Sequence, residues 1–114
     1  MKQDTIDRIT AALKNAIDWV SRADSDDEAP LSALAGKTAI LCAASPGALG
    51  GLRSLVHLRA ILGNIGVTVL PEQVTVGKAD QAFREDGSLA DEKLADRVRN
   101  LGGSLARHLR KMLA

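Results

Sequence analysis

Thr38-Ala-Ile-Leu-Cys-Ala-Ala44 runs directly into Ser45-Pro-Gly-Ala-Leu-Gly-Gly51, and then into Leu52-Arg-Ser-Leu-Val-His-Leu-Arg-Ala-Ile-Leu62. The first piece is apolar, short and without alternation, which suits a strand buried on both faces. The third has a helical period, continues to about Ile65 and ends at Gly66, a natural left-handed cap. Val67-Thr-Val-Leu70 predicts a second strand, with Val74-Thr-Val76 either extending it or forming a short separate one. Strand, glycine turn, helix and strand make one βαβ unit with a right-handed crossover. The fold class is therefore α/β with parallel strands.

Helical patterns flank this unit. Ile6, Ile9, Leu13, Ala16, Ile17 and Val20 recur at three- and four-residue steps and predict a helix from Asp4 to Arg22, capped by Asp4 or Thr5. Trp19 lies at the flank of that stripe and reads as an edge or interface aromatic. Ala23 to Pro30 is polar and acidic and reads as an exposed loop. Its Asp24, Asp26 and Glu28 suit the first positions of a calcium loop, but Ala29 and Ala35 stand where the turn glycine and the bidentate glutamate belong. No metal site is read there.

Beyond the second strand, Glu85-Asp-Gly87 is a turn signal and Phe83 an expected hydrophobic anchor. Ser88 or Asp91 starts a last helix to about Leu113, with Leu94, Val98, Leu101, Leu105, Leu109 and Met112 on its apolar stripe. Acids stand in its first turn and Arg107, Arg110 and Lys111 near its end, which complements the helix dipole. Gly102-Gly103 predicts a bend or a close helix contact.

Composition narrows the function classes. The 114 residues are 46% apolar and 25% charged, enough for one globular domain with a modest core. A formal charge of +1 and only two aromatic residues, Trp19 and Phe83, argue against nucleic acid, whose single-strand readers need basic grooves and stacking platforms. One cysteine, Cys42, excludes an intrachain disulfide and reads as a small core residue of the first strand. No apolar run reaches the length of a membrane span, and the N-terminus lacks the pattern of a signal peptide. The chain is read as soluble and cytoplasmic.

The loop Ser45–Gly51 lies at the carboxyl end of the first strand, where open α/β sheets bind ligands. Its backbone N–H groups can face an anion or a polar ring edge, aided by the helix dipole. Paired glycines predict positive φ or close backbone approach at Gly50 or Gly51. The spacing of Gly47, Gly50 and Gly51 is not the dinucleotide fingerprint, and Gly36-Lys37-Thr38 precedes a strand instead of following one, so it is not a phosphate loop. His57 and His108 have no serine or carboxylate at a telling spacing and read as structural. No catalytic residue is assigned.

Several segments together resemble the NADPH-dependent FMN reductases, the flavodoxin-like group that includes chromate and quinone reductases. Leu13-Lys-Asn-Ala-Ile-Asp-Trp-Val-Ser-Arg22 resembles their third-helix segment, and Leu34-Ala-Gly-Lys37 the lead-in to their fourth strand. Ala44-Ser-Pro-Gly-Ala-Leu-Gly-Gly-Leu-Arg53 resembles the loop and helix start after that strand; His57-Leu-Arg59 and Gln81-Ala-Phe-Arg-Glu-Asp-Gly87 fit as well. The resemblance implies a flavodoxin-like three-layer αβα fold that binds FMN and takes hydride from NADPH. It makes Ser45, Pro46, Gly47, Gly50, Gly51 and Arg53 the flavin-proximal residues.

The family's first three strands have no match here. Neither does its phosphate-cradling loop after the first strand, nor its Pro-x-Tyr-Asn-type loop at the flavin ring. The expectation is a single, incomplete flavodoxin-like domain with a short parallel sheet and its N-terminal half missing. It divides into a first helix (1–22), an acidic loop and lead-in (23–37), the βαβ unit (38–76), a loop (77–90) and the C-terminal helix (91–114). Several charge-assisted hydrogen bonds to the phosphate, each worth about 1.5–3 kcal/mol, would be lost. FMN and NADPH binding is expected to be weak or absent, and the isolated chain inactive. The alternative is a non-catalytic oligomerisation or interaction module derived from a flavin reductase. The bare first strand implies a homo-oligomer, dimer or tetramer, or a partner supplying the missing strands; neither nucleic acid nor membrane is expected as a partner.

Overall fold

A computed structural model describes residues 9–114. The order is α1 (Ala11–Val20), β1 (Thr38–Ala44), α2 (Leu52–Asn64), β2 (Thr68–Val76), a single turn α3 (Ala79–Ala82), and α4 (Glu92–Leu113). The expected caps Asp4 and Thr5 and the stripe residue Ile6 lie outside the described residues. Thr10 caps α1, its hydroxyl accepting from the Leu13 amide at 3.2 Å.

β1 and β2 pair in parallel, from Thr38 opposite Thr68 to Ala44 opposite Val76. The second strand is one continuous element that runs through Pro71. Register explains how. Ala39 faces Val69 and Leu41 faces Gln73, so two residues of β1 span four of β2. Proline has no N–H to give a ladder, and it falls inside this irregular stretch, where none is required.

The two long helices take opposite faces of the pair. In β1, Ala43 lies under Gly51 at the start of α2, and Thr38 lies beside Met112 near the end of α4, with Oγ1 and Sδ 3.8 Å apart. Odd and even strand positions point to opposite faces, so the layers are α2, sheet and α4. The core between them is Leu41, Leu55, Val67, Leu70, Val74, Val76 and Leu101. Leu55 is only 2% exposed. At 25 cal/mol per Å2, burying one such side chain contributes about 1.5–3 kcal/mol.

Five expectations need correction. Cys42 is exposed, not core. β1 is not buried on both faces as its apolar run suggests: Leu41 alone is fully buried, and Cys42 and Ala44 are exposed. Phe83 is 48% exposed and anchors little; its backbone bridges to Leu89 across the Arg84–Ser88 turn. Gly102 and Gly103 neither break α4 nor admit another helix: an added Cβ would meet nothing at Gly102 and only the Arg107 side chain at Gly103. The first helix buries no residue at all; Leu13, Trp19 and Val20 are exposed, and Arg22 lies 5.2 Å over the Trp19 ring.

The remaining connections follow their local chemistry. The acidic segment is a series of exposed turns in which Glu28 accepts from the Asp24 amide and the Ser32 hydroxyl, and these bonds hold its carboxyl below the usual range. The Gly36 amide donates to the Gly66 carbonyl at 2.9 Å, tying the lead-in of β1 to the start of β2. α4 starts at Asp91, whose carboxylate accepts from the Lys93 and Leu94 amides at 2.9 and 3.2 Å.

Candidate functional site

The loop between β1 and α2 stands at the carboxyl ends of both strands. Its first residue is fixed to the end of β2 and the residues that follow it. The Ser45 amide donates to the Val76 carbonyl at 3.0 Å, and the Ser45 carbonyl accepts from the Ala79 amide at 3.0 Å. The Ser45 hydroxyl turns inward and accepts from the Gly47 amide at 3.3 Å. Gly47 in turn accepts through its carbonyl from the amides of Gly50 (3.2 Å) and Lys78 (3.0 Å).

Both paired glycines are left-handed, Gly50 at φ 62° and Gly51 at φ 87°. Gly50 is buried, and a Cβ there would come within 2.7 Å of the Gly77 nitrogen and the Val76 carbonyl carbon. The chain therefore turns sharply over the end of β2 and enters α2. That turn shapes a small cleft of about 140 Å3, lined by Ser45, Gly47 to Gly51, and Arg53.

Donors are available at this cleft. α2 has Gly51 as its N-cap and so has no side-chain cap, whereas α1 and α4 are capped by Thr10 and Asp91. The amides of the exposed residues Ala48 and Leu49 find no acceptor among the described residues. An uncapped helix start with open amides suits an external acceptor, whether an anion or a ring carbonyl. Arg53, on the first turn of α2, lines the same rim. Pro46 is exposed at the entry to the turn and lines no part of the cleft.

A wider groove of about 280 Å3 lies between β2 and α4, lined by Glu72, Gln73, Arg97, Asn100, Ser104 and Arg107 among others. It sits along the strand, not at its carboxyl end, and is open to solvent. The crevice rule for parallel sheets favours the smaller cleft. At 140 Å3 that cleft is below the roughly 300–1,000 Å3 of complete small-molecule sites, so it covers one side of a ligand.

The structure thus gathers Ser45, Gly47, Gly50, Gly51 and Arg53 at one place. It adds residues that sequence reasoning missed. Gly77 and Lys78 underlie the loop, and the Ser54 hydroxyl donates to the Gly51 carbonyl at 2.7 Å. A Gly-Lys pair after Val74-Thr-Val76 is the only sequence signal of the first two, and it reads as an ordinary strand end. His57 is exposed on α2 and lines no part of the cleft, and no cluster of three metal-ligating side chains occurs among the described residues. No described helix is long and apolar enough to cross a membrane.

Known proteins share this arrangement of sequence. Residues 7–81 match the family model of NADPH-dependent FMN reductase. A subunit of an NADH:(hydroxy)cinnamate reductase from Vibrio ruber is 37% identical over 92 residues, covering 77% of this chain and 42% of the relative. An NAD(P)H-dependent FMN reductase from Pseudomonas aeruginosa is 37% identical over 91 residues, covering 79% and 46%. A quinone reductase from Escherichia coli K12 is 38% identical over 92 residues, with the same coverage. The chain spans about half the length of the curated relatives it matches. With the glycine turn, the parallel strands and the matched residues in agreement, the chain belongs to the NADPH-dependent FMN reductase family.

Proposed function

We propose that this chain supplies the ring-side wall of the flavin site in an NAD(P)H-dependent oxidoreductase acting on small acceptors such as quinones. The observation that carries the reading is the glycine turn at the carboxyl end of β1, with open Ala48 and Leu49 amides and an uncapped α2 start. These are donors, and the pyrimidine edge of a flavin carries carbonyl acceptors. FMN, when bound, supplies hydride acceptance from NAD(P)H and electron delivery to the acceptor. The chain's own part is to orient one ring edge through backbone N–H groups and to place the Arg53 charge nearby. The cleft's residues fit a ring edge. They include no cluster of hydroxyls and guanidiniums of the kind that holds a phosphate dianion.

This division has a direct test. Lumiflavin, which has the ring and no phosphate, is titrated against FMN while amide resonances are followed. The expected result is weak and comparable affinity for both, with shifts confined to Ser45–Gly51 and its neighbours. Stoichiometric FMN retained through gel filtration, or shifts elsewhere, would overturn it.

A second reading, an assembly module, is favoured by the edge of β1. Among the described residues β1 pairs only with β2, and its other edge is an apolar run without proline or inward charge. Pairing of that edge with a second copy of the chain, in a dimer or larger homo-oligomer, is its expected consequence. The cytoplasm is the compartment in which NAD(P)H is at hand and the thiol of Cys42 stays reduced.

A further inference from the structure

The geometry points to Gly77 and Lys78, at the carboxyl end of β2, as positioning residues that hold the Ser45–Gly51 loop in its ligand-ready shape. That the ligand is a flavin rests on the function proposed above; the contact between the two loops does not.

The contact is reciprocal. A Cβ on Gly50 would lie 2.7 Å from the Gly77 nitrogen, and a Cβ on Gly77 would lie 2.6 Å from the Ala48 carbonyl oxygen and 3.4 Å from that of Gly47. Both distances involve backbone atoms, which have no rotamer by which to move away. The two loops therefore approach too closely for a Cβ on either glycine, and each excludes a side chain on the other. Gly77 does this without needing a left-handed conformation, because its φ is ordinary. What the position requires is the missing Cβ.

Lys78 completes the junction at a conformational cost. Its φ is 48° and ψ 47°, left-handed for a residue with a long side chain. That backbone turn aims the Lys78 amide at the Gly47 carbonyl (3.0 Å) and lets the Ala79 amide reach the Ser45 carbonyl (3.0 Å). With Ser45 donating to Val76 in the opposite direction, three hydrogen bonds cross between the loops within four residues of β2's end. They use the carbonyls of Ser45 and Gly47, while the amides of Ala48, Leu49 and Gly51 take no acceptor among the described residues. Strain at Lys78 is consistent with surrounding structure that over-determines the turn. The first loop's own hydrogen bonds do not set its shape alone; the end of the second strand completes it.

The test is Gly77→Ala, with Gly87→Ala as the control. Gly87 is left-handed, at φ 84°, unlike Gly77, and an added Cβ there meets nothing, so that change strains a turn that lines no part of the cleft. Gly77→Ala is expected to shift the amide resonances of Ser45 to Gly51 and to lower lumiflavin affinity tenfold or more. Gly87→Ala is expected to leave both unchanged even where it lowers the unfolding midpoint equally. Unshifted Ser45–Gly51 amides in a folded Gly77→Ala protein would overturn the inference. If the unaltered chain binds no lumiflavin, the functional reading fails while the amide shifts still decide this one. Native-state hydrogen exchange gives an answer where Gly77→Ala does not fold. The amides of Ser45, Lys78 and Ala79 are expected to open together, as one unit; separate opening of the two loops would overturn the inference.

Discussion

Arg59 joins α2 to the irregular part of β2: its Nη1 donates to the Leu70 carbonyl at 2.7 Å and its Nη2 to Gln73 Oε1 at 2.8 Å. Leu70 is buried and precedes Pro71, inside the stretch where β2 leaves register with β1. Its carbonyl lies where the ladder is broken, and the guanidinium satisfies it. Removing Arg59 leaves a buried carbonyl without this donor. Arg59→Ala is expected to destabilise the chain by about 1.5–3 kcal/mol, read from urea unfolding. Arg59→Lys should recover less than half of that, because an ammonium lacks the planar fork that serves two acceptors at once.

The core lies between α2, the sheet and α4, and α1 contributes nothing buried. Leu55→Ala is expected to cost about 2–5 kcal/mol, and Trp19→Ala less than about 0.5 kcal/mol. Chemical denaturation of both variants checks the ranking. Equal losses would place α1 in the core.

Asp86 organises the turn before α4. The Ser88 hydroxyl donates to its Oδ1 at 2.6 Å and the Ser88 amide at 2.9 Å, and these two bonds, in that order, hold its carboxyl below the usual aspartate value. A folded-state value lower than the unfolded one stabilises above the unfolded value and is lost as pH falls through the folded one. The turn is therefore expected to loosen only under acid conditions, below the ordinary aspartate range. Carboxyl resonances of Asp86 followed against pH should show the low midpoint, and Ser88→Ala should move it back up.

Self-association through β1 makes a separate prediction. Dilute protein in reductant is expected to sediment as a dimer or larger, and Ala44→Lys, which puts a charge on the exposed end of the strand, to shift it toward monomer. A monomeric unaltered chain, or an Ala44→Lys assembly of unchanged size, would count against pairing at this edge.

Much of this was legible in the residues alone. The apolar run Thr38–Ala44, the glycine turn and the helical period after it specify a βαβ unit, because each is a local pattern with a local cause. The left-handed Gly50 and Gly51 follow from the same stretch, and Asp91 was one of two caps read for α4. Ser45, Gly47, Gly50, Gly51 and Arg53 gather at one cleft because they are neighbours in sequence at a strand-to-helix turn. Burial was less legible. Cys42 and Phe83 have core-like chemistry but are exposed, since burial depends on what other segments bring alongside. Pro71 marks the place where β2 leaves register, yet only pairing with β1 shows that the strand continues through it. The contact of Gly77 with Gly50 was least legible of all: the two are far apart in sequence, and neither has a side chain to betray a partner. Local preference decides which elements form. Tertiary structure alone decides which backbones meet, because a requirement for no side chain appears only when a second segment occupies that space.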